Sequence, residues 1–130
     1  MTRKRISTGS DYENLVGYSR ALVVDDWVFV SGTTGKNHDT GITPEDVVEQ
    51  TEICFNTISW ALKEAGSSFK DVVRARIIMA NLEDDVLVAP IVGRYFKPVG
   101  PALTTFVASF LDPIVKIEID VTALKGSADV

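Results

Sequence analysis

Apolar positions along the chain follow two periodicities, and the points where one gives way to the other divide it into elements. Residues 21–24 and 27–32 are β-rich runs on either side of Asp25-Asp26, the arrangement of a hairpin. Residues 33–43 hold Gly35, Asn37, His38, Asp39 and Gly41 and read as a loop. The period then lengthens. Val47, Thr51, Cys54, Ile58, Leu62 and Ala65 recur at spacings of three and four, which is the buried stripe of an amphipathic helix, and Phe55 widens it. Thr43 as N-cap, Pro44 at the first helical position, and Glu45 and Asp46 near the positive end of the dipole predict its start. Gly66 predicts its left-handed end.

Alternation returns over residues 71–80, with Val73, Ala75, Ile77 and Met79 on one side and Val72, Arg74, Arg76 and Ile78 on the other. A second helix runs to about Phe96. Its regular part is expected to begin only a few residues before Pro90, because a proline deep inside a helix removes a backbone donor and clashes with the preceding turn. Residues 102–111 and 116–124, separated by Asp112-Pro113, read as a final strand pair. With residues 4–8 as a short first strand, the order is β-β-β-α-β-α-β-β. That is one α/β (α+β) domain over residues 1–130, a mixed sheet with two helices on one face.

The second face of that sheet is the more informative one. Residues 102–111 are largely apolar at even and odd positions alike, and two helices can cover only one side. An uncovered apolar face predicts an interface, hence an oligomer.

Composition narrows the function classes. The chain has 130 residues, 45% apolar and 24% charged, which fits one domain able to bury a core without disulfides. The single cysteine, Cys54, sits in the helical stripe and reads as a packed hydrophobe. A net charge of −5, with Arg3-Lys4-Arg5 as the only basic cluster, argues against nucleic acid as a partner. No apolar run approaches the ~18 residues that span a bilayer and no secretory leader is recognisable, so a cytoplasmic protein without membrane contact is expected. One His and one Cys offer no first shell for a metal. Ser31-Gly32-Thr33-Thr34-Gly35 lacks the spacing and the Lys of a phosphate loop, although its backbone N–H groups can face a ligand oxygen.

The charged positions of the last strand stand out. Lys116, Glu118 and Asp120 alternate with Ile117, Ile119 and Val121, which places the charged set on the uncovered face with Arg74 and Arg76. Two readings stand. One is ion pairing at a subunit boundary. The other is a cleft in which Arg74 or Arg76 binds an anion and Glu118 handles a water proton.

Several local sequences, in order and at specific spacing, resemble the Rid (reactive intermediate deaminase, or YjgF) family, also called endoribonuclease L-PSP. They are Gly17-Tyr18-Ser19-Arg20-Ala21, Val28-Phe29-Val30-Ser31-Gly32, Ala65-Gly66-Ser67-Ser68 followed by Asp71-Val72-Val73, and, in part, Pro101-Ala102 and Ile117-Glu118-Ile119. The resemblance implies a chorismate-mutase-like fold, a homotrimer and clefts between subunits. It also implies hydrolysis of imines and enamines without a cofactor, by an arginine that holds the substrate carboxylate and a glutamate that activates water. Aligned on Pro101-Ala102, Leu103 stands where that arginine belongs, Thr105 at the family's cleft cysteine, and Ala89 near its helix asparagine. Tyr18, Ser31, Gly32 and Glu118 are retained. The expected site is therefore Glu118 as water activator, with Tyr18, Ser31, Gly32, Leu103, Thr105 and either Arg74 or Arg76 binding a small ligand. Hydrolysis of an imine or enamine other than the usual 2-imino acids is the leading expectation. A non-catalytic binding trimer comes second, and the negative charge places a ribonuclease last.

Overall fold

The computed structural model describes residues 1–129. Its period-two segments pair into one six-stranded mixed sheet: β1 (Arg3–Ile6), β2 (Ala21–Val24), β3 (Trp27–Thr34), β4 (Val72–Met79), β5 (Ala102–Val107) and β6 (Ile117–Leu124), in the spatial order β1-β2-β3-β6-β4-β5. Neighbours are antiparallel except β4 and β5, which run parallel. Among the described residues three α-helices accompany the sheet: α1 (Asp11–Val16), α2 (Val47–Glu64) and α3 (Asp85–Phe96).

The long helix forms as its stripe requires, with Val47, Thr51, Cys54, Ile58 and Leu62 all buried. Phe55 anchors the layer between α2 and α3: its ring stacks on Tyr95 at 4.1 Å and meets Phe96 edge-on at 5.6 Å. The left-handed end at Gly66 is a Schellman cap, in which the Gly66 N–H donates to Lys63 O (3.0 Å) and the Ser67 N–H to Leu62 O (2.8 Å). The start differs from expectation. Asp46, not Thr43, is the N-cap, and its carboxylate accepts from the Glu49 N–H at 3.0 Å. Pro44 lies outside the helix because its carbonyl accepts instead from the buried Gln50 side chain at 2.7 Å. Gln50 also donates to Ile114 O (2.9 Å) and accepts from the Lys116 N–H (2.9 Å), so it fastens two loops to α2. Gly35 is needed beside it, since a Cβ there would lie 2.5 Å from the Gln50 backbone.

Four further expectations are corrected. The helix α1 was not anticipated; Ser10 caps it by accepting from the Glu13 N–H, and Gly17 ends it at φ +87°. The last two strands are not neighbours, because β4 lies between them. β5 stops at Val107 and not at 111, since the chain leaves the sheet for a loop before β6. In β4, a register shift between Val72 and Arg74 turns Val72 inward (3% exposed) and Val73 outward (36%), reversing their expected sides. Pro90 lies inside α3, five residues past its first residue.

One face of the sheet carries the core: Val28, Val30, Ala75, Ile77, Ile117, Ile119, Val121 and Ala123 are buried. On the other face Trp27, Phe29 and Phe106 stay more than 40% exposed, and every residue of β5 is exposed. The apolar uncovered face expected from the sequence is therefore present.

Candidate functional site

Glu118 sits in the middle of β6, opposite Thr34 of β3 and Ile78 of β4, with its side chain on the open face. Across from it, β3 carries a bulge: Val30 pairs with Val121 and Thr33 with Ile119, so Ser31 and Gly32 together face only Asp120. The glycine makes room. A Cβ on Gly32 would lie 2.8 Å from the Glu118 Cδ and Oε2, which means that the carboxyl group rests directly on the Gly32 backbone. Burial raises the Glu118 pKa, and the nearby Asp120 raises it further against the opposing charges of Arg20 and Arg76. The carboxyl group is thus shifted towards the range in which it exchanges protons with water.

Ser31 belongs to the same structure but is held internally. Its hydroxyl donates to Ser19 O (2.7 Å) and its N–H to Arg20 O (2.9 Å). These bonds clamp residues 19–20 against the bulge. Tyr18 precedes them, half-buried, with the Arg20 guanidinium 5.5 Å above its ring. A cleft of about 350 Å³ opens beside Gly17, Tyr18, Ser19, Phe29 and Ser31.

The arginines of β4 take other roles. Arg76 pairs with Asp120, Nε lying 3.2 and 3.1 Å from the two carboxylate oxygens and Nη2 3.0 Å from Oδ2. This ion pair forms within one chain. Arg74 is exposed opposite Ala102 and Thr122 and makes no ion pair among the described residues.

Leu103 and Thr105 lie elsewhere. They pair with the buried Ala75 and Ile77, which puts them on the helix side of the edge strand. There they line a largely apolar cleft of about 320 Å³ together with Val88, Ala89 and Phe96 of α3. The fold thus gathers Ala89, Leu103 and Thr105 at one place and Tyr18, Ser31, Gly32 and Glu118 at another, on opposite faces of the sheet. Within one chain β4 separates the two groups.

Two ionisable residues were missed in the sequence. Arg20 is 4% exposed, and its Nε and Nη2 have no hydrogen-bond partner. Glu13 is buried, where burial alone would raise its pKa. Hydrogen bonds from the Thr8 and Ser7 hydroxyls and the Thr8 N–H outweigh this and hold it below the usual carboxylate range. The Ser-x-x-Glu spacing of residues 10–13 was the available signal for Glu13. Arg20 had none, because composition reports charge and not burial.

Neither sulfur nor metal chemistry is supported. Cys54 is fully buried, its Sγ donates to Thr33 O, and burial pushes its thiol pKa up, so it is no nucleophile at neutral pH. Among the described residues no three His, Cys, Asp or Glu side chains cluster to hold a metal, and no helix is long and apolar enough to cross a membrane.

Comparison with known proteins places this geometry. The sequence profile of the family described as Endoribonuclease L-PSP matches residues 8–125. The 2-iminobutanoate/2-iminopropanoate deaminase of Capra hircus is 30% identical over 127 residues, which are 97% of this chain and 93% of that protein. The chloroplastic Reactive Intermediate Deaminase A of Arabidopsis thaliana is 34% identical over 119 residues, 91% of this chain and 64% of that one. Among solved structures, Rv2704 of Mycobacterium tuberculosis, a member of the YjgF/YER057c/UK114 family, is 31% identical and superposes with a TM-score of 0.86 over 95% of this chain and 99% of that one. With the profile covering nearly the whole domain and the fold shared end to end, the chain belongs to the Rid/YjgF family.

Proposed function

We propose that this chain assembles as a homotrimer, binds a small metabolite in clefts between its subunits, and there hydrolyses an imine or enamine other than the usual 2-imino acids. The observation that carries the reading is the seat of Glu118. Its carboxyl group, raised in pKa, rests on the bulge glycine at an open and apolar-rimmed face. In the reaction, water adds to the C=N carbon while Glu118 takes one of its protons. Return of that proton to nitrogen gives the carbinolamine, and transfer of the added hydroxyl's proton to nitrogen, again through Glu118, lets the C–N bond break as the C=O bond forms, giving a carbonyl compound and ammonia. Addition of water and loss of ammonia transfer no net electrons, so the step needs no cofactor.

The division of the site supports a cleft between subunits. Residues on opposite faces of one sheet meet around a common ligand only when a second copy brings its edge strand to the first copy's open face. The exposed, apolar β5 is suited to that contact. The wall it would bring is Leu103, Thr105 and Ala89, which cannot bind a carboxylate and instead suits an apolar substituent. The named deaminase relatives supply the reaction class. This wall argues that the substrate differs from 2-iminopropanoate.

The test is ammonia release from freshly generated imines. An imine with a branched apolar side chain should be hydrolysed faster than in buffer, 2-iminopropanoate should not, and Glu118→Gln should slow the reaction by about 100-fold or more. Binding without ammonia release would favour the non-catalytic reading, for which the apolar residue at Leu103 is the specific observation. A stable monomer in solution would remove the cleft altogether.

A further inference from the structure

Away from the Glu118 face, the loop after β3 and the flank of α2 bound a cleft of about 470 Å³. Ile53, Asn56, Thr57 and Trp60 fall at i, i+3, i+4 and i+7, so they form one stripe of the helix, beside the stripe that packs on the sheet. Asn37, His38 and Asp39 line the cleft from the loop. That loop is held by its own bonds: the Asn37 Oδ1 accepts from the Asp39 N–H (2.9 Å) and the Thr40 N–H (3.2 Å), and the Gly41 N–H donates to Asn37 O (2.7 Å). Both walls are therefore formed before any ligand arrives.

The side chains in this cleft have bonding capacity to spare. Thr51, buried, donates back to Val47 O at 2.8 Å, whereas among the described residues the side chains of His38, Asn56 and Thr57 make no hydrogen bond. Asn37 uses its oxygen within the loop and keeps Nδ2 as a donor. Trp60 is 39% exposed and, unlike Phe55, Phe69 and Tyr95, meets no other ring among the described residues. Burial, then the charges of Arg20 and Lys36, hold the His38 pKa below its usual value. Its imidazole is thus neutral near pH 7 and offers one donor and one acceptor.

These features select a ligand by its chemistry. Among the described residues lining the cleft only Asp39 is charged, so a phosphate or carboxylate would meet repulsion with no cation on the wall to offset it. A sugar carries hydroxyls on every side and would lose their bonds against Ile53 and Trp60. A flat heteroaromatic ring suits both parts of the lining. Its face can lie on the Trp60 indole, and its edge, with donor and acceptor side by side, matches a carboxamide such as that of Asn56. We propose that this cleft is a second binding site, for an uncharged purine base or nucleoside, with the base on Trp60 and its edge at Asn56. The proposal does not depend on the reading of Glu118.

Equilibrium dialysis of the full chain against adenosine and guanosine tests it. At least one of the two should bind saturably, and Trp60→Ala should weaken that binding about tenfold or more, the scale of a base stacked on an aromatic ring. Asn56→Ala should weaken it about fivefold. The corresponding 5′-monophosphate should bind about fivefold or more weakly than the nucleoside, and Asp39→Asn should narrow that gap. A measurement that needs no change in the cleft is the Trp60 indole N–H resonance, identified with the help of Trp27→Phe. It should shift with the nucleoside and not with ribose. No saturable binding of either nucleoside, tighter binding of the monophosphate, an equal shift with ribose, or an affinity unchanged in Trp60→Ala would each overturn the proposal. Binding lost in Glu118→Gln and kept in Trp60→Ala would place the nucleoside on the open face of the sheet and overturn it as well.

Discussion

The two faces of β6 are built from alternate residues of one strand, yet they serve different ends. Ile117, Ile119, Val121 and Ala123 point under the helices and are at most 1% exposed, whereas Glu118, Asp120, Thr122 and Leu124 point the other way and stay partly accessible. The first face is covered within one chain: aromatic rings from α2 and α3 close over it, and the buried Gln50 and Thr51 side chains are hydrogen-bonded. The second is incomplete, with a half-buried carboxylate, an ion pair, and aromatic rings facing outwards. The difference teaches that the pleat of the sheet separates the face that holds the fold together from the face on which the proposed site lies. A substitution's consequence should follow from its parity more than from its distance to the site.

The largest expected effect breaks the covered face. Phe55→Ala leaves a cavity between α2, Phe69, Tyr95 and Phe96 and should lower the unfolding free energy by about 3–5 kcal/mol in a urea titration. Equal stability of mutant and wild type would mean that the aromatic layer is not what closes this face. The open face should respond differently. Phe106→Asp, on the exposed edge strand, should change the chain's own stability by less than about 1 kcal/mol. It should nonetheless shift the protein to smaller species in sedimentation, because in the proposed trimer a charge at this position would be buried without compensation. A loss of stability as large as that of Phe55→Ala would erase the distinction between the faces.

The smallest effect concerns pH and sharpens the comparison between two carboxyls, the half-buried Glu118 and the buried Glu13. The Glu118 pKa is raised in the folded state, so its contribution is fully present below the unfolded carboxylate pKa and is lost as pH rises through the folded value. Glu118→Gln should therefore gain stability relative to wild type on going from acid to neutral pH. Glu13 is the reverse case. Its folded pKa is lowered by the Thr8 and Ser7 bonds, so its contribution is present above the unfolded pKa and lost as pH falls through the folded value. Glu13→Gln should lose stability relative to wild type at neutral pH and recover in acid. Parallel pH profiles for the two variants would contradict the assigned shifts.

Much of the covered face was legible in the sequence, because burial imposes period: the stripe of α2, the alternation of β6 and the hairpin of β2 with β3 all follow from it. Glu118 was legible for the same reason, as a charge alternating with isoleucines. What period does not encode is which strand lies beside which, and the final two strands were misjudged as neighbours for that reason. A local shift of phase also escapes it, as at Val72 and Val73. Short elements held by caps, such as α1, carry too few turns to show a period at all. Arg20 was hidden because its burial arises from contacts among segments distant in sequence, with the bulge of β3 holding its backbone in place.

That bulge has a consequence for how the gene can vary. On β3 and the residue that follows it, the inward positions are Val28 and Val30 before the bulge and Thr33 and Gly35 after it, a step of three in a count that otherwise runs in twos. Substitution at Ser31 alters one contact, but removing either residue of the pair resets the parity of everything on one side. Thr33 and Gly35 would then exchange places with their neighbours, and the backbone seat beneath Glu118 would vanish. Variation at this point of the sequence is therefore fixed in length, and at Gly32 in letter as well.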